Sequence, residues 1–179
     1  MHPAFDFQQD YFTLFGLPAR FELEKPVLEQ QYRSLQAQVH PDKFAHLPES
    51  ERRLSMQWAT RVNEAYQTLR SPLNRARYLL HLHGVDTQEE TNTAMPAEFL
   101  IDQMEWREAI EEARETGNAE ELDALERRLQ HEVRALEQRL ADNLDRTQQY
   151  EAAAGDVRKL RFLEKLAEEI ASAFDAIDS

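Results

Sequence analysis

Seven apolar residues recur at steps of three and four along one stretch of this chain, and no other feature constrains its fold as strongly. They are Leu122, Leu125, Leu129, Val133, Leu136, Leu140 and Leu144. Such steps place the side chains on one face of an α-helix. Only 4 glycines and 7 prolines interrupt the 179 residues, so long helices are expected along most of the chain. The sequence therefore predicts an all-α fold.

The helical period continues on both sides of this leucine series. Three runs, at about 97–116, 119–150 and 156–177, are separated by turns that contain Gly117 and Gly155. The flanking runs carry apolar stripes of their own: Leu100, Met104 and Ile110 in the first, and Val157, Leu160, Leu163, Leu166, Ile170 and Phe174 in the last. An antiparallel three-helix bundle would bury all three stripes. A two-stranded coiled coil with a second chain is the alternative. The flanking stripes favour the bundle.

The N-terminal half contains a helical hairpin. Its first helix begins at Pro26, and its second helix begins at Pro48 and ends at Ser71. The first helix carries one apolar face, formed by Leu28, Tyr32, Leu35 and Val39. A short further helix follows, and Gly84 is placed to end it in the left-handed conformation that glycine tolerates best.

A change in composition divides the chain after this glycine. The segment 85–94 is polar and has no hydrophobic period, which is typical of a linker. We therefore expect a first domain over residues 1–84, with residues 1–9 as a candidate flexible extension. The linker covers residues 85–94, and the three-helix domain covers residues 95–179.

The loop between the two hairpin helices contains His40, Pro41 and Asp42, three residues with no evident core to serve. Proline fixes one backbone angle and so reduces the entropy lost when a partner captures the loop. A carboxylate held there can accept a bidentate hydrogen bond from an arginine on a partner. In the alternative, Asp42 only caps the following turn. The flanking helices favour a contact site.

The charge is unevenly distributed. The net charge is −13, and residues 84–179 carry 25 acidic against 11 basic side chains, whereas residues 1–83 carry 9 against 10. An acidic half repels phosphate, so a protein partner is favoured over nucleic acid.

Several classes of function find no support in the sequence. There is no cysteine, no apolar run long enough to cross a bilayer and no secretory signal, so we expect a cytoplasmic protein. There is no phosphate-binding glycine loop, no nucleophile motif and no metal-ligand spacing. We expect neither catalysis nor a cofactor or metal.

Several separate motifs, in the right order, resemble the HscB family of J-type co-chaperones in bacterial iron–sulfur cluster assembly. They lie at residues 10–18, 40–44, 63–69, 99–108 and 157–163, so the resemblance covers nearly the whole chain. It implies an N-terminal J domain with a His-Pro-Asp loop and a C-terminal three-helix domain. A general J-domain co-chaperone for unfolded clients of DnaK is the alternative within the class.

The resemblance also implies two partners. The J domain would bind the DnaK-type chaperone HscA and stimulate its ATPase through His40, Pro41, Asp42, Lys43, Arg33 and Lys25. The C-terminal domain would bind the scaffold protein IscU and deliver it to HscA for cluster transfer. The scaffold-binding residues would be Leu100, Ile101, Met104, Glu105, Glu108 and Phe162.

Overall fold

The computed structural model describes residues 6–91 and 95–179, and those residues contain helices and no strands. The chain divides into two compact units between Leu82 and His83. The all-α fold is therefore confirmed. The first five residues of the predicted extension, and residues 92–94 of the predicted linker, lie outside the described residues.

Four helices and one 3₁₀ turn form the first unit. They are α1 (Tyr11–Leu14), α2 (Lys25–Val39), the 3₁₀ turn Pro41–Phe44, α3 (Glu49–Arg70) and α4 (Pro72–Leu82). The carboxylate of Asp10 begins α1 by accepting a hydrogen bond from the Thr13 amide at 2.9 Å. The core of this unit includes six fully buried residues, Phe12, Phe15, Leu28, Val62, Leu69 and Leu80.

Side-chain pairs along the predicted hairpin show that α2 and α3 run antiparallel. Ser55 bonds the carbonyl of Val39, and the Tyr32 hydroxyl donates to Asn63 at 2.7 Å. Tyr66 also bonds Glu29, and the rings of Tyr32 and Tyr66 stack at 3.8 Å between centroids. In each pair the two residue numbers sum to nearly the same value, as an antiparallel register requires.

Arg75 in α4 ties the loop after α1 to the end of α3. Its side chain is buried, and it donates from Nε to the carbonyl of Phe21 at 2.6 Å and from Nη1 to that of Leu69 at 2.7 Å. Its guanidinium also lies 4.8 Å from the centroid of the Phe21 ring. A buried charge is tolerated when its donors are satisfied in this way.

Residues 6–9, the described part of the candidate flexible extension, contact α3. The ring of Phe7 stacks on Trp58 of α3 at 3.8 Å, and Arg61 Nη2 donates to the carbonyl of Gln9 at 2.8 Å. Two contacts on one helix hold residues 6–9 against the unit.

The second unit contains the predicted three-helix bundle, formed by α5 (Ala97–Thr116), α6 (Ala119–Ala141) and α7 (Tyr150–Asp178). Gly117 ends α5 with φ 64°, and Asn118 begins α6 by accepting from the Glu121 amide. Six members of the leucine series are buried, namely Leu122, Leu125, Leu129, Leu136, Leu140 and Leu144. Their burial within the unit confirms that the leucine series forms the bundle core and not an intermolecular zipper.

The break before α7 lies earlier than predicted. The middle run ends at Ala141 and passes through a π-helical turn, Asp142–Arg146, and α7 begins at Tyr150 and includes Gly155. A glycine inside a helix costs about 1 kcal/mol relative to alanine, which packing can offset, so it need not end the helix. Ala153 and Ala154, just before it, are fully buried. The chain turns instead at Gln148, where φ is 52°.

The apolar stripe predicted for the first bundle helix was also wrong in part. The buried residues of α5 are Trp106, Ile110 and Ala113, at steps of four and three. Leu100 and Met104 lie about 120° and 160° around the helix from Trp106, given about 100° per residue. Only Ile110 of the predicted stripe therefore lies in the core.

Residues 83–91, here called the strap, are bound to α7 although most of them were predicted as linker. The ring of His83 stacks on Tyr150 at 4.3 Å. Arg158 Nη1 donates to the carbonyl of Thr87 at 2.9 Å, and Arg161 lies 3.9 Å from the carboxylate of Glu89. Residue numbers increase in the same direction along the strap and along α7, so the two segments run parallel. The described part of the predicted linker is therefore packed at these residues.

One buried carboxylate joins the end of α6 to α7. Asp156 accepts from Asn143 Nδ2 at 2.9 Å and pairs with Arg139 Nη2 at 3.1 Å. Burial raises the pKa of the Asp156 carboxyl above its ordinary value, because desolvation outweighs the opposing effects of the Arg139 charge and the Asn143 hydrogen bond.

We expect Asp156→Asn to gain stability relative to the wild type as pH rises above the ordinary pKa of an aspartate carboxyl, about 4. A folded-state pKa above the unfolded value means that the folded protein holds the proton longer. The contribution of Asp156 to stability therefore falls as pH rises through its raised pKa, whereas asparagine does not titrate. Urea unfolding of both proteins at each pH measures the difference, in which the other carboxylates cancel. If the wild type instead gained stability relative to the variant as pH rises, the effects of Arg139 and Asn143 on the Asp156 pKa would outweigh that of desolvation.

Candidate functional site

The predicted contact loop forms one turn at the end of the α2–α3 hairpin. His40 follows α2 in an extended conformation, and its carbonyl accepts from the Lys43 amide at 3.0 Å. Pro41 occupies the first position of the 3₁₀ turn, where its missing amide hydrogen leaves no bond unmade. The turn is thus closed by its own backbone, and the side chains of the loop remain on its outside.

The side chain that caps this 3₁₀ turn is that of His40, not that of Asp42. Its Nδ1 accepts from the Asp42 amide at 3.2 Å, which requires an imidazole that is unprotonated at Nδ1. The Asp42 side chain is 92% exposed, and its carboxylate lies 3.7 Å from the same nitrogen. The histidine therefore orients the loop, and the carboxylate projects into solvent, where it can accept hydrogen bonds from a partner.

The three cations predicted for chaperone binding are exposed. Lys43 lies in the 3₁₀ turn itself, and Lys25 and Arg33 lie on α2. Lys25 and Arg33 are eight residues apart, which places them about 80° from one another around the helix. All six residues predicted for chaperone binding are thus accessible. Their role in binding stays a prediction.

Sequence reasoning missed Ser55, which fixes the base of the loop. Its hydroxyl is buried and donates to the carbonyl of Val39 at 3.0 Å. This carbonyl belongs to the last residue of α2, where no helical amide is available to bond it. The available signal was a small polar residue three positions before Trp58, on the buried face of α3.

A second exposed surface lies on α5, in the other unit. Leu100 is 45% exposed, Ile101 is 56% exposed and Met104 is 72% exposed. We call these three residues the apolar patch. The exposed carboxylates of Glu105 and Glu108 follow it along the same helix. Large apolar side chains in an acidic unit are costly to leave in water, and such a patch often marks a protein interface.

The structure corrects the expected position of Phe162. Its side chain is only 8% exposed, so it does not lie on the surface with the apolar patch. The ring meets Phe99 edge to face at 5.4 Å, and Arg107 lies 5.6 Å from its centroid. Five of the six residues predicted for scaffold binding are therefore exposed, and the sixth packs between α5 and α7. Their role in binding stays a prediction.

The described residues contain neither a metal-binding cluster nor a membrane-spanning helix. Within residues 6–91 and 95–179, no group of three or more histidine and carboxylate side chains is arranged to hold a metal ion. No helix in these ranges combines the length and the apolarity that a bilayer crossing requires.

Comparison with known proteins identifies the family. A family model described as the HscB C-terminal oligomerisation domain matches residues 95–171. A co-chaperone protein HscB homolog of Azoarcus sp. (strain BH72) is 55% identical over 176 residues, which are 98% of this chain and 99% of the relative. The chain belongs to the HscB co-chaperone family.

Solved HscB structures extend the similarity to the fold. The chaperone HscB from Vibrio cholerae is 38% identical, with a TM-score of 0.84 over 94% of this chain and 99% of that chain. The human co-chaperone protein HscB is 31% identical, with a TM-score of 0.88 over 94% of this chain and 84% of that chain. The HscB resemblance, and the J domain with a helical C-terminal bundle that it implied, are therefore confirmed.

Ser55→Ala should destabilise the HscB-type hairpin by about 1 to 2 kcal/mol, because it leaves the buried Val39 carbonyl without its hydrogen bond. Thr60→Ala is the matched control. The Thr60 hydroxyl is exposed and bonds only the Met56 carbonyl of its own helix, so we expect a change within about 0.5 kcal/mol. Chemical denaturation of the three proteins makes the comparison, and equal stabilities would remove Ser55 from any role under the loop.

Proposed function

We propose that this chain is a J-type co-chaperone of iron–sulfur cluster assembly. In this role it binds the scaffold protein IscU and delivers it to the DnaK-type chaperone HscA. It stimulates the HscA ATPase, and so promotes cluster transfer and protein maturation. The observation that carries the proposal is the apolar patch on α5, because a general co-chaperone loop alone would not require it.

The loop supports the chaperone half of the proposal. A carboxylate that is almost fully exposed, on a turn stiffened by Pro41 and oriented by His40, is prepared to accept an arginine fork at little entropic cost. Exposed cations at Lys25, Arg33 and Lys43 can then favour association with an acidic surface of the chaperone.

The patch supports the scaffold half. Its three apolar side chains can be desolvated by a folded partner without disturbing the bundle core, since the core of α5 uses Trp106, Ile110 and Ala113. Glu105 and Glu108 are placed to contact cations at the edge of such an interface. An apolar centre with a charged edge is the usual composition of a specific protein interface.

Asp42→Asn should abolish stimulation of the HscA ATPase while leaving the fold intact. The change removes the charge that would bind an arginine, and surface changes of this kind alter stability by about 0.5 kcal/mol or less. Glu64→Gln, an equally conservative change at an exposed position of α3, is the control and should stimulate normally. ATP turnover by HscA at saturating co-chaperone, beside circular dichroism, gives the result. Full stimulation by the Asp42 variant would contradict the role of the loop.

The triple change of Leu100, Ile101 and Met104 to alanine should weaken IscU binding by about 30-fold to 1000-fold, the equivalent of about 2 to 4 kcal/mol for a hot spot. Its melting temperature should stay close to that of the wild type, because these side chains are exposed. Met56→Ala, which removes a 61% exposed methionine from α3, is the control. Calorimetric titration with IscU tests both variants. Normal affinity in the triple variant would remove the patch from the interface.

Phe162 needs separate treatment in these experiments. Because its ring is packed, Phe162→Ala would leave a cavity and cost about 3 to 5 kcal/mol of stability. A loss of IscU binding in that variant would therefore not distinguish contact from unfolding.

A further inference from the structure

Glu29 lies between the two cations of α2 that are predicted for chaperone binding. It follows Lys25 by four residues and precedes Arg33 by four, so it is about 40° around the helix from each of them. Side chains four residues apart on a helix are neighbours, and a glutamate that precedes its basic partner is the favoured order for an ion pair. Spacing alone would therefore pair Glu29 with Arg33.

The structure contains neither of the ion pairs that this spacing permits. Among the described residues, no carboxylate forms an ion pair with Lys25 or Arg33, and both cations are exposed. The half-buried carboxylate of Glu29 instead accepts a hydrogen bond from the hydroxyl of Tyr66 in α3. The negative charge is thus bound to the opposite helix of the hairpin, and the donors of both cations remain open to solvent.

Neighbouring side chains fix the position of the Tyr66 hydroxyl. The buried ring of Tyr66 stacks on that of Tyr32 at 3.8 Å between centroids, and the guanidinium of Arg70 lies 5.6 Å from its centroid. The hydrogen bond to the Glu29 carboxylate raises the pKa of the Tyr66 hydroxyl above its ordinary value, because ionisation would abolish that bond. The hydroxyl therefore keeps its proton and remains a donor to Glu29.

We propose that Tyr66 is a positioning residue for chaperone binding, which holds Glu29 away from Lys25 and Arg33 and so leaves both cations available to an acidic surface of HscA. This inference rests on the chaperone binding proposed above. A carboxylate paired with Arg33 would occupy guanidinium donors and cancel part of the field that attracts an acidic partner. Tyr66 acts through Glu29 and not by contact, because its own side chain is buried.

The test is the concentration of co-chaperone that half-maximally stimulates the HscA ATPase. Tyr66→Phe removes the hydroxyl and keeps the ring, so Glu29 becomes free to pair with a cation of α2. We expect this concentration to rise about twofold to fivefold at low ionic strength and the difference to shrink in high salt. Stimulation at saturation should be unchanged, since the His-Pro-Asp loop is untouched. A variant with the half-maximal concentration of the wild type would overturn the proposal.

Glu29→Gln in the Tyr66→Phe background separates positioning from packing. Glutamine has no charge with which to neutralise Lys25 or Arg33, so we expect the double variant to recover the half-maximal concentration of the wild type. Weaker packing of the hairpin would not be repaired by this second change, so failure of the rescue would also overturn the proposal. Melting temperatures of all variants accompany the assay.

Tyr32→Phe is the matched control. It removes the hydroxyl of the other ring in the same stack, and the partners of that hydroxyl, Asn63 and Gln36, are uncharged. We expect this variant to stimulate HscA at the same concentration as the wild type. Equal weakening by Tyr32→Phe and Tyr66→Phe would attribute the effect to hairpin packing and would exclude a positioning role.

The failure of this inference is distinguishable from that of the proposed function. If the wild type does not stimulate HscA, the proposed function fails and the inference fails with it. If the wild type stimulates and Asp42→Asn does not, while Tyr66→Phe behaves as the wild type, the role of the loop stands and only the positioning role of Tyr66 is excluded.

Discussion

Burial of the apolar face of α7 is the interaction on which the second unit depends. Val157, Leu160, Leu166 and Ile170 are almost completely buried, and the leucine series of α6, the core face of α5 and the strap all contact this helix or its neighbours. Because several elements pack around α7, the side chains of this helix restrict the positions that those elements can adopt. The outer face of α5 is consequently free to carry apolar residues that lie outside the bundle core.

Local signals in the sequence predicted the helices well where capping residues mark the ends. Pro96 and Gly117 bound α5, and its predicted range of 97–116 agrees with the structure. Gly155 misled for a physical reason, since glycine ends a helix only where the chain needs a positive φ. The turn before α7 instead depends on Asp156, whose partners Arg139 and Asn143 lie 17 and 13 positions earlier and cannot be recognised from a local pattern.

The exposure of the candidate site was predictable only in part. A His-Pro-Asp loop has no core to fill, whereas Leu100 and Met104 were predicted both in the buried stripe of α5 and on the scaffold-binding surface, and the structure exposes them. Phe162 and Ser55 were beyond this reasoning. Whether an aromatic ring or a hydroxyl is covered depends on which helix crosses it, and that is decided by contacts between residues far apart in sequence. Residue type and the family resemblance therefore predicted the surfaces and not the contacts that support them.

The strap places a constraint on chain length. His83, Thr87 and Glu89 meet Tyr150, Arg158 and Arg161 in the same order along the two segments. Inserting or deleting one residue between positions 84 and 86 would shift the later pairs out of register. Substitutions there can be tolerated while length changes are not, which is the opposite of what a polar spacer between domains ordinarily permits.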